Sequence, residues 1–210
     1  VTFSKKKNVN EALPLACALE LFHAAFLIHD DIMDGDAVRR GKPSMHAQVG
    51  ESVALSIGDM AIFCGYDVLS HLGQELVSYI SRELANVTVA QMHDVYPREE
   101  QTRDALLHTY TYKTARYTFS LPLAAGAILA GAPGETIAQL ERLGESMGIL
   151  FQIRDDELDG DVPSVLEKDL VVIRGKHKKV CMQILDTLEV SAESKQTLLD
   201  MLEFVQSRKV

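Results

Sequence analysis

Asp30-Asp31, followed one helical turn later by Asp34, closes an apolar stretch that begins at Leu21. Arg39, Arg40 and Lys42 come directly after it. Carboxylates can hold a hard divalent cation, and a guanidinium fork can hold an anion. Acids beside bases therefore point to a metal-bridged phosphate site. A second cluster, Asp155-Asp156 and Asp159, lies far down the chain behind another apolar stretch. The two clusters are expected to face each other.

Spacing i, i+1, i+4 puts the first and last acids of each cluster on one helical face. Like charges at that spacing repel, and a cation between them relieves the repulsion. Carboxylate oxygens, with phosphate oxygens and water completing the shell, suit Mg²⁺. The bland alternative is a solvated acidic helix end. Its recurrence behind a second apolar helix, again with a base close by, weighs against that alternative.

Other side chains have weaker claims. Lys113-Thr114 lies among Tyr110, Tyr112 and Tyr117, where a lysine could equally snorkel to the surface. Gln152 precedes Asp155 by three residues and lies on nearly the same face; otherwise it is a surface amide. His23 lies seven residues before Asp30 on the same face. A lone histidine on an apolar helix is more often a satisfied core residue, and His29 and His46 carry the same alternative.

Helices must position these groups. Leu15, Leu19, Phe22 and Phe26 recur at spacings of three and four and predict a helix over Glu11–Asp34, with Pro14 in its first turn. Gly35–Ser44 reads as a loop broken by Gly41 and Pro43. Further helices are predicted over Val53–Leu72, Glu75–Val95, Asp104–Ala130, Glu135–Asp159 and Val180–Arg208. The fourth of these six should kink near Pro122. Pro97–Arg103 reads as a charged connector and Gly160–Lys179 as partly loop. Val1–Asn10 reads as a loop, so the start is expected to be truncated. Little of the chain alternates with period two. The expectation is an all-α fold: one domain over residues 1–210, a helical bundle around a central cavity.

Bulk properties narrow the function. The chain has 210 residues, 47% of them hydrophobic, which suffices for a sizeable core. A net charge of −9 argues against nucleic acid as a partner. Cys17, Cys64 and Cys181 are far apart with apolar neighbours and read as reduced core residues. Charges interrupt the apolar helices, so no transmembrane segment is expected and the chain is read as soluble and cytoplasmic.

Together these residues resemble the trans-isoprenyl diphosphate synthases, the family of farnesyl and geranylgeranyl diphosphate synthases. HDDIMD followed by RRGKPS resembles the family's first aspartate-rich motif and its arginine pair. FQIRDDELD resembles the second, and YKTARYTFSLPLAAGAILAG resembles the Lys-Thr helix. SIGDM and the Gln91/Asp94 pair are weaker echoes. The resemblance runs from about Glu11 to Asp159, with its motifs in the family's order. The four-residue span from Asp30 to Asp34 is similar to archaeal and eukaryotic members.

The resemblance implies a Mg²⁺-dependent prenyltransferase, with Mn²⁺ as a substitute, that condenses isopentenyl diphosphate with a dimethylallyl, geranyl or farnesyl diphosphate. It implies an isoprenoid-synthase-type bundle and a homodimer. Asp30, Asp34 and Asp155 would coordinate metal, with Asp31, Asp156 and Asp159 in direct or supporting roles. Arg39, Lys113 and Gln152 would hold the allylic diphosphate. Arg40 and His23 match positions that bind isopentenyl diphosphate, and Thr114 one near the reacting carbons. Phe26 lies one turn, about 5.4 Å, below Asp30, and Phe22 a further turn down, with Ala25 leaving a gap beside Phe26. Bulky rings there favour a C15 or C20 product.

Two segments depart from the family pattern. An upstream Gly-Gly-Lys-x-x-Arg-Pro segment has no counterpart here, so N-terminal helices are expected to be missing. After Asp159, VLEKDLVVIRGKHKKV offers Lys168 and Lys176 for diphosphate, with altered spacing and no threonine. Two alternatives stay open. One is a class I terpene cyclase, although FQIRDDELD does not match its second metal motif. The other is a non-catalytic subunit that adjusts a partner synthase.

Overall fold

The computed structural model describes residues 9–95, 102–160 and 162–208. Residues 1–8 of the expected N-terminal loop, residue 96, residues 97–101 of the connector and the side chain of Asp94 lie outside the described residues. The described chain is almost all helix: α1 (Val9–Asp34), α2 (Met45–Val49), α3 (Glu51–Ser70), α4 (Gln74–Val95), α5 (Arg103–Thr109), a π-helical segment (Tyr110–Ser120), α6 (Leu121–Leu129), α7 (Gly134–Asp159), α8 (Ser164–Glu167), α9 (Leu170–Thr187) and α10 (Ala192–Ser207). The all-α expectation holds.

Several boundaries differ from the sequence reading. Helix α1 begins at Val9, which puts Pro14 inside the helix and not in its first turn. The proline therefore removes a bond near the N-terminal end, where the loss is small. The stretch 104–130 does not simply kink at Pro122. It widens into the π segment first, and Pro122, which has no N–H to donate, sits where that segment passes into α6 through a helical Ser120. Most of 160–179 is helical, in α8 and α9. The final helix is two, parted between Thr187 and Ala192, with Ser191 capping α10 by accepting from the Ser194 N–H.

The loop after α1 contains a hairpin, β1 (Val38–Arg39) against β2 (Lys42–Pro43), with Arg39 opposite Lys42. Its two-residue turn has φ 51° at Arg40 and 74° at Gly41. Positive φ at both central residues is the mirror-image turn that matches strand twist. Glycine supplies it freely, whereas arginine is strained there.

The chain divides into two compact units, with the boundary inside α4 after Ser78. In the first, α1 packs on α3 through two glycines. A Cβ on Gly58 would lie 2.2 Å from Nε2 of His29, and one on Gly65 would lie 2.8 Å from the Phe22 ring. Phe22 is fully buried, and the Tyr66 ring meets it edge-on at 5.0 Å.

The second unit, from Tyr79 onward, has a core of Leu140, Leu143, Met147 and Leu150 from α7 with Cys181 and Leu185 from α9 and Leu198 and Leu202 from α10. Burial pushes the Cys181 thiol up to about 12. Cys17 and Cys64 are exposed, which corrects the expectation that all three cysteines are core residues. Apolar sequence neighbours do not fix a helical face: Cys64 stands about 100° round α3 from Gly65. Ala12–Asp34 and Glu51–Ser70 are each long and apolar enough to cross a membrane by length and composition alone, a test that the core helix of a soluble protein also passes.

Candidate active site

Both aspartate clusters span the last five residues of a helix, and both helices stop at a left-handed glycine. Asp34 precedes Gly35 (φ 72°), where the Asp36 N–H returns to the Asp31 carbonyl at 3.0 Å. Asp159 precedes Gly160 (φ 74°), whose N–H returns to the Asp156 carbonyl. A helix C-terminus carries the equivalent of about −0.5 charge, so carboxylates there are disfavoured. Neither helix has a basic residue in its last turn to offset them. Ordinary solvated acids belong at helix N-termini. This placement calls for cations from elsewhere.

At the first cluster the hairpin supplies one. Arg39 Nε donates to Asp31 Oδ1 at 2.5 Å, and its Nη2 reaches Asp30 at 3.4 Å and Asp36 at 4.0 Å. Asp31 is 3% exposed and held by this bond, whereas Asp34 is exposed. Arg40, on the strained turn, is exposed, as is Lys42. His23 and Phe26 are half-buried, and Ala25 is fully buried. His29 lies between Leu55 O (3.4 Å) and Asp59 Oδ1 (3.6 Å), which places the Gly-Asp of SIGDM against α1.

The second cluster is built along a stripe of α7 spaced by four: Gly144, Gly148, Gln152, Asp156. The stripe meets the π segment in antiparallel order. A Cβ on Gly144 would lie 2.4 Å from Cα of Ser120, and one on Gly148 would lie 2.2 Å from Cα of Ala115. Only glycine permits this approach. Farther along, the Thr114 hydroxyl donates to Gln152 Oε1 at 2.9 Å, and Gln152 Nε2 donates to Asp156 Oδ1 at 2.8 Å. The Tyr110 hydroxyl donates to Asp156 Oδ2. The π segment's wider turn keeps residues 110, 114–115 and 120 in line with a four-residue stripe. Burial and the bond to Asp156 both raise the Tyr110 pKa.

The middle aspartates thus share a condition. Asp31 and Asp156 are tethered by protein donors. Asp155 is partnered by Arg208, and Asp159 is exposed. Lys113 is half-buried on the π segment, next to Thr114. Arg116, one helical turn on, bonds Glu83 and Glu145 at 3.0 Å each and fastens the segment to α4 and α7. Lys168 and Lys176 are exposed, at the end of α8 and on α9.

The sequence reading missed the roles of Tyr110, Arg208 and the glycine stripe. GESMG, two small residues four apart, was the available signal for the stripe. Nothing local marks Arg208, which reaches Asp155 across 53 residues of chain.

The donors are all carboxylate oxygens, which suit a hard cation such as Mg²⁺. Among the described residues no three or more His, Cys, Asp or Glu side chains converge to hold a metal by themselves. The fit is to an ion bound by one or two carboxylates and completed by water and phosphate oxygens.

Comparison with known proteins identifies the family. A short chain isoprenyl diphosphate synthase of Methanocaldococcus jannaschii is 32% identical over 94% of this chain and 62% of its own length. A geranylgeranyl diphosphate synthase of Mycobacterium tuberculosis is 36% identical over 71% of this chain and 44% of its own. This chain therefore spans less than two thirds of either relative. The crystal structure of a geranylgeranyl pyrophosphate synthase superposes with a TM-score of 0.87 at 21% identity, over 98% of this chain and 84% of that one, and shows the shared fold. The polyprenyl synthetase family model matches residues 1–210, the whole sequence that carries the two aspartate clusters, and the chain belongs to that family.

Proposed function

We propose that the protein is a short-chain trans-prenyl diphosphate synthase, which joins isopentenyl diphosphate to an allylic diphosphate to give farnesyl or geranylgeranyl diphosphate. The observation that carries this reading is the placement of both acidic clusters on cation-demanding helix C-termini. The relatives named above are synthases of this kind.

Asp30 and Asp34 on α1, and Asp155 and Asp159 on α7, would hold Mg²⁺, or Mn²⁺ in its place. Bound there, the metal would neutralise the charge of a departing diphosphate. Asp31 and Asp156 support them: one orients Arg39, the other orients Gln152. Arg39 and Lys113 bring fixed positive charge to the allylic diphosphate. Arg40, His23 and the exposed Lys168 and Lys176 serve isopentenyl diphosphate and the diphosphates at large. Thr114, held by Gln152, lines the path of the reacting carbons. The protein's tasks are to position, to compensate charge and to keep water from the allylic cation. Phe26, with Phe22 below it and Ala25 beside it, limits the product to C15 or C20.

We place the enzyme in the cytoplasm without a membrane span. Helix α1 ends in three aspartates, and α3 carries Asp59 and Asp67 within the length a bilayer would need. We also propose a homodimer, supported by Leu55, Met60 and Phe63, which leave 49%, 58% and 71% of their surfaces exposed on α3. Light scattering tests the dimer. The activity is tested by supplying labelled isopentenyl diphosphate with each allylic starter, in Mg²⁺ or in EDTA, and chromatographing the dephosphorylated alcohols. Metal-dependent extension supports the reading, and no extension with any starter defeats it.

A further inference from the structure

The end of α10 is fastened to the second aspartate cluster by one arginine. Arg208 Nη2 donates to Asp155 Oδ1, and its guanidinium lies 3.9 Å from the centroid of the Phe151 ring. Its carbonyl accepts from Arg154 Nε at 3.1 Å and Nη2 at 3.0 Å, and its N–H donates to Phe204 O at 2.9 Å. Phe151, Arg154 and Asp155, at i, i+3 and i+4, thus grip it from one face of α7.

Two features separate this contact from a plain helix clamp. Leu198, Leu202 and Val205 already bury α10 in the core, and Arg154 already holds the Arg208 backbone. The guanidinium adds charge more than hydrogen bonds, for its Nε is buried and without an acceptor. What it meets is an acid fifth from the end of a helix whose last turn holds no base, while the neighbouring Arg154 is engaged with Glu157 and the Arg208 carbonyl.

We propose that Arg208 is a positioning residue that occupies the place of a cation at Asp155, and that it surrenders this carboxylate when a divalent cation binds. Metal occupancy and the seating of the C-terminal end of α10 are then linked. Whatever releases Arg208 favours the metal, and the metal by the same factor loosens Arg208. The inference rests on the reading of Asp155 as a metal-binding residue.

The test is direct titration of the full chain with Mn²⁺, with and without inorganic diphosphate, read by the electron paramagnetic resonance signal of free Mn²⁺. Arg208→Gln should bind Mn²⁺ about fivefold more tightly than wild type, and the gain should vanish in an Asp155→Asn background. Equal or weaker binding by a folded Arg208→Gln protein overturns the inference. Hydrogen exchange on the unaltered protein provides a second readout. Amides at residues 204–208 should exchange faster once Mn²⁺ and diphosphate are added, and unchanged or slower exchange there also overturns it. If Asp155→Asn alone binds Mn²⁺ as tightly as wild type, the metal role of Asp155 falls, and this inference falls with it.

Discussion

The hydroxyl of Thr114 donates to Oε1 of Gln152 at 2.9 Å, joining the π segment to α7 across 38 residues of sequence. Because Gln152 Nε2 is committed to Asp156, the amide cannot flip without losing both bonds. Asp156, bonded by Tyr110 as well, has donors on both oxygens. Thr114 and Lys113 are thereby held at a fixed height along α7, beside the turn that carries Asp155 and Asp159.

Breaking that chain should slow turnover without unfolding the protein. Gln152→Leu strands the Thr114 hydroxyl and one oxygen of Asp156, and we expect kcat to fall about 10–100-fold. Thr114→Ser keeps the donor and should stay near wild type, whereas Thr114→Val should behave like Gln152→Leu. Steady-state kinetics on the three variants decide it; equal rates for Ser and Val would contradict the account.

The glycine stripe makes a stability prediction. Gly148→Ala would drive a methyl to 2.2 Å from the Ala115 backbone, which has no flexible side chain to yield. We expect a loss of about 1–3 kcal/mol. Gly126→Ala is the control: its Cβ meets nothing within 4 Å. It should be neutral or gain up to about 1 kcal/mol from helix propensity. Thermal melting of the pair checks both signs.

Acid should weaken the fold through His177. Its Nδ1 lies 3.3 Å from Ser146 Oγ, and burial, with Lys176 adding repulsion, lowers its pKa from the ordinary 6.5. The unfolded chain therefore takes up this proton first as pH falls. The stability tied to neutral His177 is complete above about pH 6.5 and drains away as pH drops through the folded value. Between pH 7.5 and 5.5, the melting temperature of wild type should fall more than that of His177→Gln. Parallel curves would remove His177 from the acid response.

Product length separates the two phenylalanines. Phe26 is half-buried, so Phe26→Ala should survive and yield alcohols longer by at least one isoprene unit. Phe22 fills the contact with Gly65 and Tyr66, and Phe22→Ala should cost about 3–5 kcal/mol in addition to any change of product. An unchanged alcohol profile from Phe26→Ala would show that the ring does not set the length.

Much of this architecture was legible in the sequence, for identifiable reasons. The helices of α1, α3 and α7 follow from apolar spacing, and the aspartate clusters from acids one turn apart. The π segment was not legible, because YTYKTARYTFS has no local breaker. It lies against Gly144 and Gly148 of α7, a close approach between residues far apart in the chain. The grip of Arg208 on Asp155 was equally hidden, since it exists only after α10 folds back onto α7. Cys17 and Cys64 were misjudged because apolar neighbours along a helix say nothing about which face a residue occupies.

The central claim is that the acids on the two helix ends bind metal for chain elongation. The most direct measurement is the elongation assay run on wild type, Asp30→Asn and Asp155→Asn, with Mn²⁺ binding and thermal melting recorded on the same samples. The account predicts Mg²⁺-dependent C15 or C20 alcohols from wild type. It predicts that each folded variant binds Mn²⁺ less and loses about 100-fold or more in rate. Folded wild-type protein that extends no allylic starter, or variants that extend as fast as wild type, would contradict it.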